Sequence, residues 1–268
     1  MNNLVIVLKR KVGEVNYNNF GSKMEVINYR KFNDIDVYFE EYNWVFYNAQ
    51  YDNFLKGSLK CPYEPRVCGK GYIGEGKYKS RVNGKKTDIY IEWIMMLNRC
   101  YSDDLHKEHN TYLNCEMYEE WHNFQKFAEW RENNFYQVGN EKMCLDKDIL
   151  VKGNKIYSPE TCIFVPDRIN KLFTKSDKAR GEYPIGVNYS KKYNNLRVRC
   201  SVFNIDKNKK ERIHIGTFKP NQVEEAFQCY KTFKENYIKQ VADDYYSQGL
   251  IPKKLYEAMY RYKIEITD

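Results

Sequence analysis

The sequence lacks the features that define several protein classes. None of its eight cysteines forms a Cys-x-x-Cys pair, so neither a zinc finger nor a disulfide framework is expected. No apolar run approaches the roughly 20 residues that a membrane-spanning helix needs, and no secretory leader is visible. We therefore expect a cytoplasmic protein with reduced thiols that is not embedded in a membrane.

A nucleotide-binding P-loop is missing as well. Residues 69–76 are rich in glycine, but they lack the Gly-Lys-Ser/Thr ending and a clear following helix. We interpret this stretch as a flexible junction. Cys61 and Cys68 precede this stretch and could bind a metal only with partners that the sequence does not identify, so we interpret them as ordinary core or surface thiols.

What the chain does have is hydrophobic material and segregated charge. Its 268 residues are 42% hydrophobic and 16% aromatic, enough for real cores in two or three small domains. The net charge is +8, but residues 171–220 contain 13 Lys plus Arg against 4 Asp plus Glu, whereas residues 101–136 contain 3 against 8. Runs of like charge are often ordinary solvent-exposed faces. Segregation on this scale nevertheless favours a basic segment that contacts phosphate and an acidic segment that does not.

The first 80 residues are predicted to form a small β-rich domain. Turn-forming residues separate short strand-like runs, which lie at residues 4–8, 24–29, 35–39 and 44–47. A compact sheet or small barrel is expected.

Two amphipathic helices are predicted next, at residues 88–101 and 118–130. Each carries an aromatic stripe at helical spacing, which is more typical of a core than of a base-stacking surface, and the surrounding acidic charge argues against contact with DNA. Three of the four histidines, His106, His109 and His122, lie in this region and are kept as reserve candidates for catalysis.

Residues 143–173 form the densest ordered pattern of the chain. The alternation in residues 143–151 predicts a strand with Asp146 and Asp148 on one face. The dipeptide Gly153-Asn154 predicts a turn, residues 162–165 a buried strand, and Pro166-Asp167 the start of a helix on which Asn170 projects away from the apolar stripe. The sequence therefore predicts a ββα finger.

The carboxy-terminal part predicts a three-stranded sheet packed on one helix. Strands are expected at residues 184–189, 196–203 and 211–218, with a polar linker before them at residues 175–182 and a helix at residues 223–241. One sheet face is apolar. The other is basic and is expected to meet DNA through Lys191, Lys192, Arg197, Arg199, Arg212 and His214.

Two resemblances to known families follow from these residues. The carboxy-terminal part resembles the DNA-binding domain of the plant Apetala and ethylene-response kind, through Pro184-Ile185-Gly186-Val187, Ile215-Gly216-Thr217-Phe218 and Glu225-Ala226-Phe227. The stretch from Trp93 to Phe173 resembles phage proteins classed as HNH endonucleases, through Arg99-Cys100-Tyr101, Leu145-Asp146-Lys147-Asp148, Gly153-Asn154 and the run from Tyr157 to Cys162. Together they cover about half of the chain.

The second resemblance implies a mechanism. A divalent ion, Mg²⁺ or Mn²⁺, would be bound by Asp146 and Asn170, and Asn154 would brace the loop. The family's general-base histidine falls at or next to Lys147, and a lysine with a pKa of about 10.4 is protonated at neutral pH. Asp148 or a reserve histidine could serve as the base instead, Lys147 could hold phosphate, or the finger could be a silent scaffold.

The whole chain is therefore expected to be an α+β protein in four segments. These are a β-rich domain (1–80), a helical region with an HNH-like finger (81–175), a DNA-binding sheet and helix (183–246) and a helical tail (247–268). The first functional hypothesis is a phage-encoded, metal-dependent endonuclease that acts on double-stranded DNA in a bacterial cytoplasm. The second is a binding protein without chemistry, either a phage regulator of DNA or an inhibitor of a host defence protein.

Overall fold

The computed structural model describes residues 11–174, 181–204 and 209–268. Within these ranges the chain forms seven α-helices and thirteen strands in several small sheets, so the expected α+β class is confirmed. Two compact units are present, Met1–Asn133 with Lys155–Pro159, and Asn134–Asn154 with Glu160–Asp268. The strand predicted at residues 4–8 and most of the linker predicted at residues 175–182 lie outside the described residues.

The first unit begins with a four-stranded antiparallel sheet in the order β1-β2-β3-β4. Its strands are β1 (Val15–Tyr17), β2 (Lys23–Lys31), β3 (Asp34–Phe39) and β4 (Trp44–Ala49). The three strands predicted between residues 24 and 47 are confirmed, whereas β1 is too short to show an alternating pattern. Alternate residues of β2 and β3 are fully buried, and the short helix α1 (Tyr51–Leu55) adds Tyr51 and Phe54 to the same core.

The rest of the first unit is mostly helical. It contains the hairpin β5 (Arg81–Val82) and β6 (Lys85–Lys86), helices α2 (Asp88–Tyr101), α3 (Asp103–Glu108) and α4 (Phe124–Asn134), the strand β7 (Glu116–Met117), and 3-10 turns at Glu40–Tyr42, Asn110–Tyr112 and Glu119–His122. The predicted helix at residues 88–101 is confirmed, and Thr87 caps it by accepting a hydrogen bond from the Tyr90 N–H at 3.3 Å.

The prediction of a single helix over residues 118–130 is wrong at its start. Asn123 has extended backbone angles (φ −80°, ψ 116°), and its side-chain oxygen accepts from the Gln125 N–H at 2.9 Å. An asparagine that binds the backbone in this way caps a helix instead of continuing it. Trp121 therefore lies in a separate 3-10 turn, and α4 begins at Phe124.

The glycine-rich stretch at residues 69–76 packs closely against the helices. The Tyr72 N–H donates to the His122 carbonyl, and the Phe124 N–H donates to the Tyr72 carbonyl, both at 2.9 Å. A Cβ atom on Gly71 would lie 2.3 Å from Leu97 Cδ1. Close backbone approach explains this glycine better than the flexible junction that the sequence suggested.

A ββα finger opens the second unit, as the sequence predicted. Strand β8 (Met143–Asp146) pairs antiparallel with β10 (Ile163–Pro166), and helix α5 (Asp167–Phe173) follows directly. The connection between the two strands includes β9 (Ile156–Tyr157), which belongs to the first unit and pairs parallel with β7. The Val151–Asn154 turn is closed by a hydrogen bond from the Asn154 N–H to the Val151 carbonyl at 3.0 Å, with Gly153 at a φ of +81°.

The expected three-stranded antiparallel sheet is present in the second unit. It consists of β11 (Val187–Ser190), β12 (Asn195–Asn204) and β13 (Lys209–Phe218), in that order. The long helix α6 (Val223–Ser247) covers one face, where Val187, Leu196, Val198 and Cys200 are buried with α6 residues in one core. Helix α7 (Lys253–Arg261) adds Leu255 and other apolar residues to this core, so the predicted tail helix is an integral part of it. Among the described helices, none combines the length and the apolar character needed to span a bilayer.

Candidate nucleic-acid interface and metal site

The sheet face opposite α6 brings four of the predicted DNA-binding residues together. Arg197 and Arg199 alternate on β12 with the buried Val198 and Cys200, so both arginines point away from the helix. On β13, Arg212 pairs with Ser201, and His214 pairs with Arg199. Cross-strand partners share a face of the sheet. The open face therefore carries Arg197, Arg199, Arg212 and His214 in neighbouring positions.

A β-bulge is what places the β13 residues on this face. The pairing passes from Val198 with Gly216 directly to Arg199 with His214, so Ile215 has no opposite residue. Without that extra residue the alternation from Thr217 would turn His214 toward the helix. A contact of 3.1 Å between His214 Nε2 and Thr217 Oγ1 shows that both side chains lie on the same face.

The turn between β11 and β12 holds the two predicted lysines and orients one arginine. Lys191 and Lys192 are exposed in this turn. The Arg197 guanidinium lies 4.4 Å from the centre of the Tyr193 ring, and Lys192 Nζ lies 5.2 Å from the same ring. The tyrosine thus holds cations at the end of the open face.

In the finger, Asp146 ends a strand and starts a turn. Its Oδ1 accepts hydrogen bonds from the N–H groups of Asp148 at 2.9 Å and Ile149 at 2.7 Å. Because β8 ends at Asp146, the prediction that Asp146 and Asp148 share a strand face is wrong: the Asp146 side chain folds the backbone into a turn. Burial first, and the nearby charge of Asp148 second, raise the pKa of Asp146 above its usual range.

Lys147 and Asn154 close the loop that follows β8. The buried Lys147 ammonium donates to the Asn154 carbonyl at 3.0 Å and lies 3.4 Å from Asp148 Oδ2. In return Asn154 Nδ2 donates to the Lys147 carbonyl at 2.7 Å. This is the loop-bracing position that the HNH resemblance implied for Asn154. The Lys147 side chain is therefore engaged in closing the loop.

Asn170 lies on the same side of β8 as Asp146. Cys144 and Asp146 are two residues apart in the strand, so their side chains point to the same face. The Cys144 thiol contacts Asp167 Oδ1 at 3.7 Å and also interacts with the Asn170 side chain. Burial is the main cause that raises the pKa of this thiol, and the Asn170 interaction opposes it. The two residues implied as metal ligands therefore face one side of the finger.

Other groups with chemical potential lie elsewhere. The reserve histidines belong to the first unit: His122 Nε2 lies 2.8 Å from the Tyr101 hydroxyl, and His106 Nε2 lies 2.8 Å from the Arg99 carbonyl. In the part of the chain that the structure describes, no three His, Cys, Asp or Glu side chains converge to hold a metal. An Asp-Asn pair would bind an ion with water molecules completing its coordination, which suits Mg²⁺.

Sequence reasoning missed two features of the second unit. Tyr262 lies beside the finger: burial first, then the charges of Asp268, Asp148 and Asp146, raise its pKa. Lys234 occupies a buried position of α6, and the signal for it was its place in the apolar stripe, four residues after Tyr230. Both side chains line a cleft of about 650 Å³.

No protein-family model, no curated protein and no solved structure matches this chain.

Proposed function

We propose that this chain binds double-stranded DNA through the open face of the β11–β13 sheet. The observation that carries the proposal is the grouping of Arg197, Arg199, Arg212 and His214 on one face, produced by the strand register and the bulge. In the described residues none of the three arginines forms an ion pair with a carboxylate. Guanidinium groups without acidic partners remain available for phosphate oxygens or guanine edges.

The shape of this region also suits a DNA groove. A major groove of about 12 Å admits a two-stranded β-ribbon, and β12 with β13 forms a ribbon of ten residues per strand. The exposed Lys191 and Lys192 at the β11–β12 turn would reach the phosphate backbone and fix the position of the ribbon. We thus propose that the sheet contacts the bases in the groove while the neighbouring lysines bind the phosphate backbone.

The test is duplex binding by fluorescence anisotropy. Changing Arg197→Ala together with Arg199→Ala should weaken binding of a duplex tenfold or more. The matched control is Lys85→Ala with Lys86→Ala, which removes the same charge from an exposed hairpin of the first unit and should change affinity by less than threefold. Equal losses in the two double variants would show a non-specific charge effect and contradict the proposal.

A second candidate function is metal-dependent hydrolysis of DNA at the finger. It is favoured by the position of Asp146 and Asn170 on the same side of β8, with Asp146 Oδ2 free of the turn hydrogen bonds. A bound Mg²⁺ or Mn²⁺ would supply charge stabilisation for the scissile phosphate and the leaving oxygen. Since Lys147 is engaged as a donor, the carboxylate of Asp148, which is 49% exposed, is the finger group left to accept a proton from water.

Plasmid nicking with each metal tests this candidate. Cleavage should be lost in Asp146→Ala and in Asn170→Ala and retained in Asp103→Ala, an exposed acid on α3 of the first unit. Cleavage that survives both finger changes would reject it. Duplex binding without cleavage would favour a regulator of DNA, and the absence of both would favour a factor that binds a host defence protein.

A further inference from the structure

Helix α6 carries a lysine in the middle of its buried stripe. Ala226, Tyr230, Lys234, Ile238 and Ala242 are spaced four residues apart, and all five are buried, with Lys234 only 7% exposed. Residues with this spacing lie on one face of a helix. The position therefore belongs to the core, where an apolar side chain would be expected.

Among the described residues, the Lys234 side chain makes neither an ion pair nor a hydrogen bond. Its amine lies 5.9 Å from the centre of the Tyr237 ring. Burial first, and the nearby positive charge of Lys210, lower the pKa of Lys234. A buried cation without a counter-charge is costly, so a ligand that supplies negative charge would favour the protonated form of Lys234.

Lys234 lines a cleft in which basic side chains outnumber acidic ones among the described residues. The cleft has a volume of about 650 Å³, and Arg168, Arg199, Lys210 and Arg212 contribute to its wall. Arg168 Nε is buried and has no hydrogen-bond partner among the described residues, while its guanidinium lies 4.1 Å from the centre of the Phe203 ring. The Lys234 amine of α6 and Arg168 Nε of α5 thus each lack an acceptor among the described residues, although the Arg168 guanidinium also interacts with the Tyr245 hydroxyl.

The acidic residues of the cleft do not neutralise these donors. Of the described residues, two aspartates line it, but Asp167 pairs with Lys171, and Asp268 pairs with Lys152 at 2.7 Å. The wall also contains aromatic rings, among them Phe203, Tyr230 and Tyr237. A cleft of this size exceeds what a bare phosphate ion fills and lies in the range of small-molecule sites, about 300–1,000 Å³.

From these observations we infer that the cleft binds the phosphate of a nucleotide. Lys234 and Arg168 are its central donors, and the aromatic rings take the sugar and base by stacking. The nucleotide has two sources, a free deoxynucleoside monophosphate or a nucleotide of a DNA strand, and both present the same phosphate. The cleft shares Arg199 and Arg212 with the proposed DNA-binding face, but Arg197 belongs to the face alone and Lys234 to the cleft alone, so changes at these two positions distinguish the sites.

Isothermal titration calorimetry of the full chain tests the inference. The probes are the four deoxynucleoside 5′-monophosphates, deoxyadenosine without phosphate, and a DNA duplex. Lys234→Met should weaken phosphate-dependent binding tenfold or more and leave the melting temperature equal or higher, because it replaces an unpaired buried charge with an apolar chain of similar length. Lys239→Met, at a half-buried position of the same helix outside the cleft, should bind like the wild type.

The pattern of losses identifies the source and separates this inference from the proposed function. Weaker binding of monophosphates in Lys234→Met supports a free nucleotide, and weaker duplex binding in the same variant supports a strand phosphate. Arg197→Ala should weaken only the duplex; if the wild type binds no duplex while monophosphate binding still depends on Lys234, the DNA proposal fails and the cleft stands. The inference is overturned if deoxyadenosine binds as tightly as its monophosphate, or if Lys234→Met changes no affinity.

Discussion

Lys147 and Asn154 hold each other across the loop that follows β8. The lysine ammonium donates to the asparagine carbonyl at 3.0 Å, and the asparagine amide donates to the lysine carbonyl at 2.7 Å. Lys147 thus closes the loop that Asn154 braces. If the proposed HNH resemblance holds, the position expected for a general base carries a structural contact instead.

The reciprocal pair should contribute measurably to the second unit. Asn154→Ala removes the donor to a partly buried carbonyl, and we expect it to lower the free energy of unfolding by about 1–2 kcal/mol. Urea denaturation followed by far-UV circular dichroism measures this. Asn221→Ala, at an exposed position, should stay within about 0.5 kcal/mol of the wild type. Equal effects of the two changes would show that the pair is energetically silent.

Gly186 is the backbone position least able to accept a side chain in the second unit. Its φ is +79°, and a Cβ atom there would lie 2.0 Å from Tyr230 Cδ2. Gly186→Ala should therefore destabilise the unit by about 2–4 kcal/mol, through backbone strain and overpacking together. Gly181→Ala is the control, since no atom lies within 4 Å of its added Cβ. If Gly186→Ala left the melting temperature unchanged, the Tyr230 side chain of α6 would be able to move away at little cost, which would contradict the prediction.

The Arg30–Asp36 pair predicts how the first unit responds to acid. Arg30 Nη1 and Nη2 lie 2.7 Å from the two Asp36 oxygens, and this hydrogen-bonded pair lowers the pKa of Asp36 from 3.8 to about 2. Because the folded state favours the carboxylate, the stabilisation is complete above pH 4 and is lost as the pH falls toward 2.

Urea unfolding at pH 5 and pH 2.5 checks this response. All four tryptophans belong to the first unit, so their fluorescence reports on it selectively. Asp36→Asn should be less stable than the wild type at pH 5, and the difference between the two proteins should narrow at pH 2.5. A difference that is the same at both pH values would exclude the pair as its cause.

Salt dependence should distinguish phosphate contacts from base contacts on the open face. Each phosphate contact that is removed should make the slope of log K against log salt shallower by about 0.9. Lys191→Ala with Lys192→Ala should flatten the slope and weaken all duplexes alike, whereas Arg212→Ala should alter the preference among sequences. Anisotropy titrations between 50 and 300 mM salt on several duplexes measure both effects. A changed sequence preference in the lysine variant, together with an equal loss of affinity for all duplexes in Arg212→Ala, would contradict this assignment.

The sequence predicts well those elements whose buried residues recur at the regular spacing of a strand or a helix. The alternation around Val198 and the spacing of Tyr230 in α6 each follow from a single period, and the sheet and helix are found where expected. Local hydrogen bonds decide the rest. The hydrogen bond of the Asp146 side chain ends strand β8, and that of the Asn123 side chain separates a 3-10 turn from α4. Neither hydrogen bond alters the spacing of the apolar residues in the sequence.

The candidate site was predictable in its residues but not in its geometry. Arg212 and His214 are recognisable from alternation, yet the bulge at Ile215 that aligns them with Arg199 depends on pairing with another strand. Lys234 breaks the expected apolar stripe, and only the tertiary structure shows that its ammonium reaches a basic cleft. Long-range pairing and burial of charge are properties of the assembled fold.

The path of the chain between the two units bears on how the protein is made. The segment Lys155–Pro159 leaves the finger and supplies β9, which pairs with β7 of the first unit. During synthesis, β7 therefore cannot pair with β9 until residues that follow β8 of the second unit have emerged from the ribosome. Translation order thus delays completion of the amino-terminal unit until the finger is half synthesised.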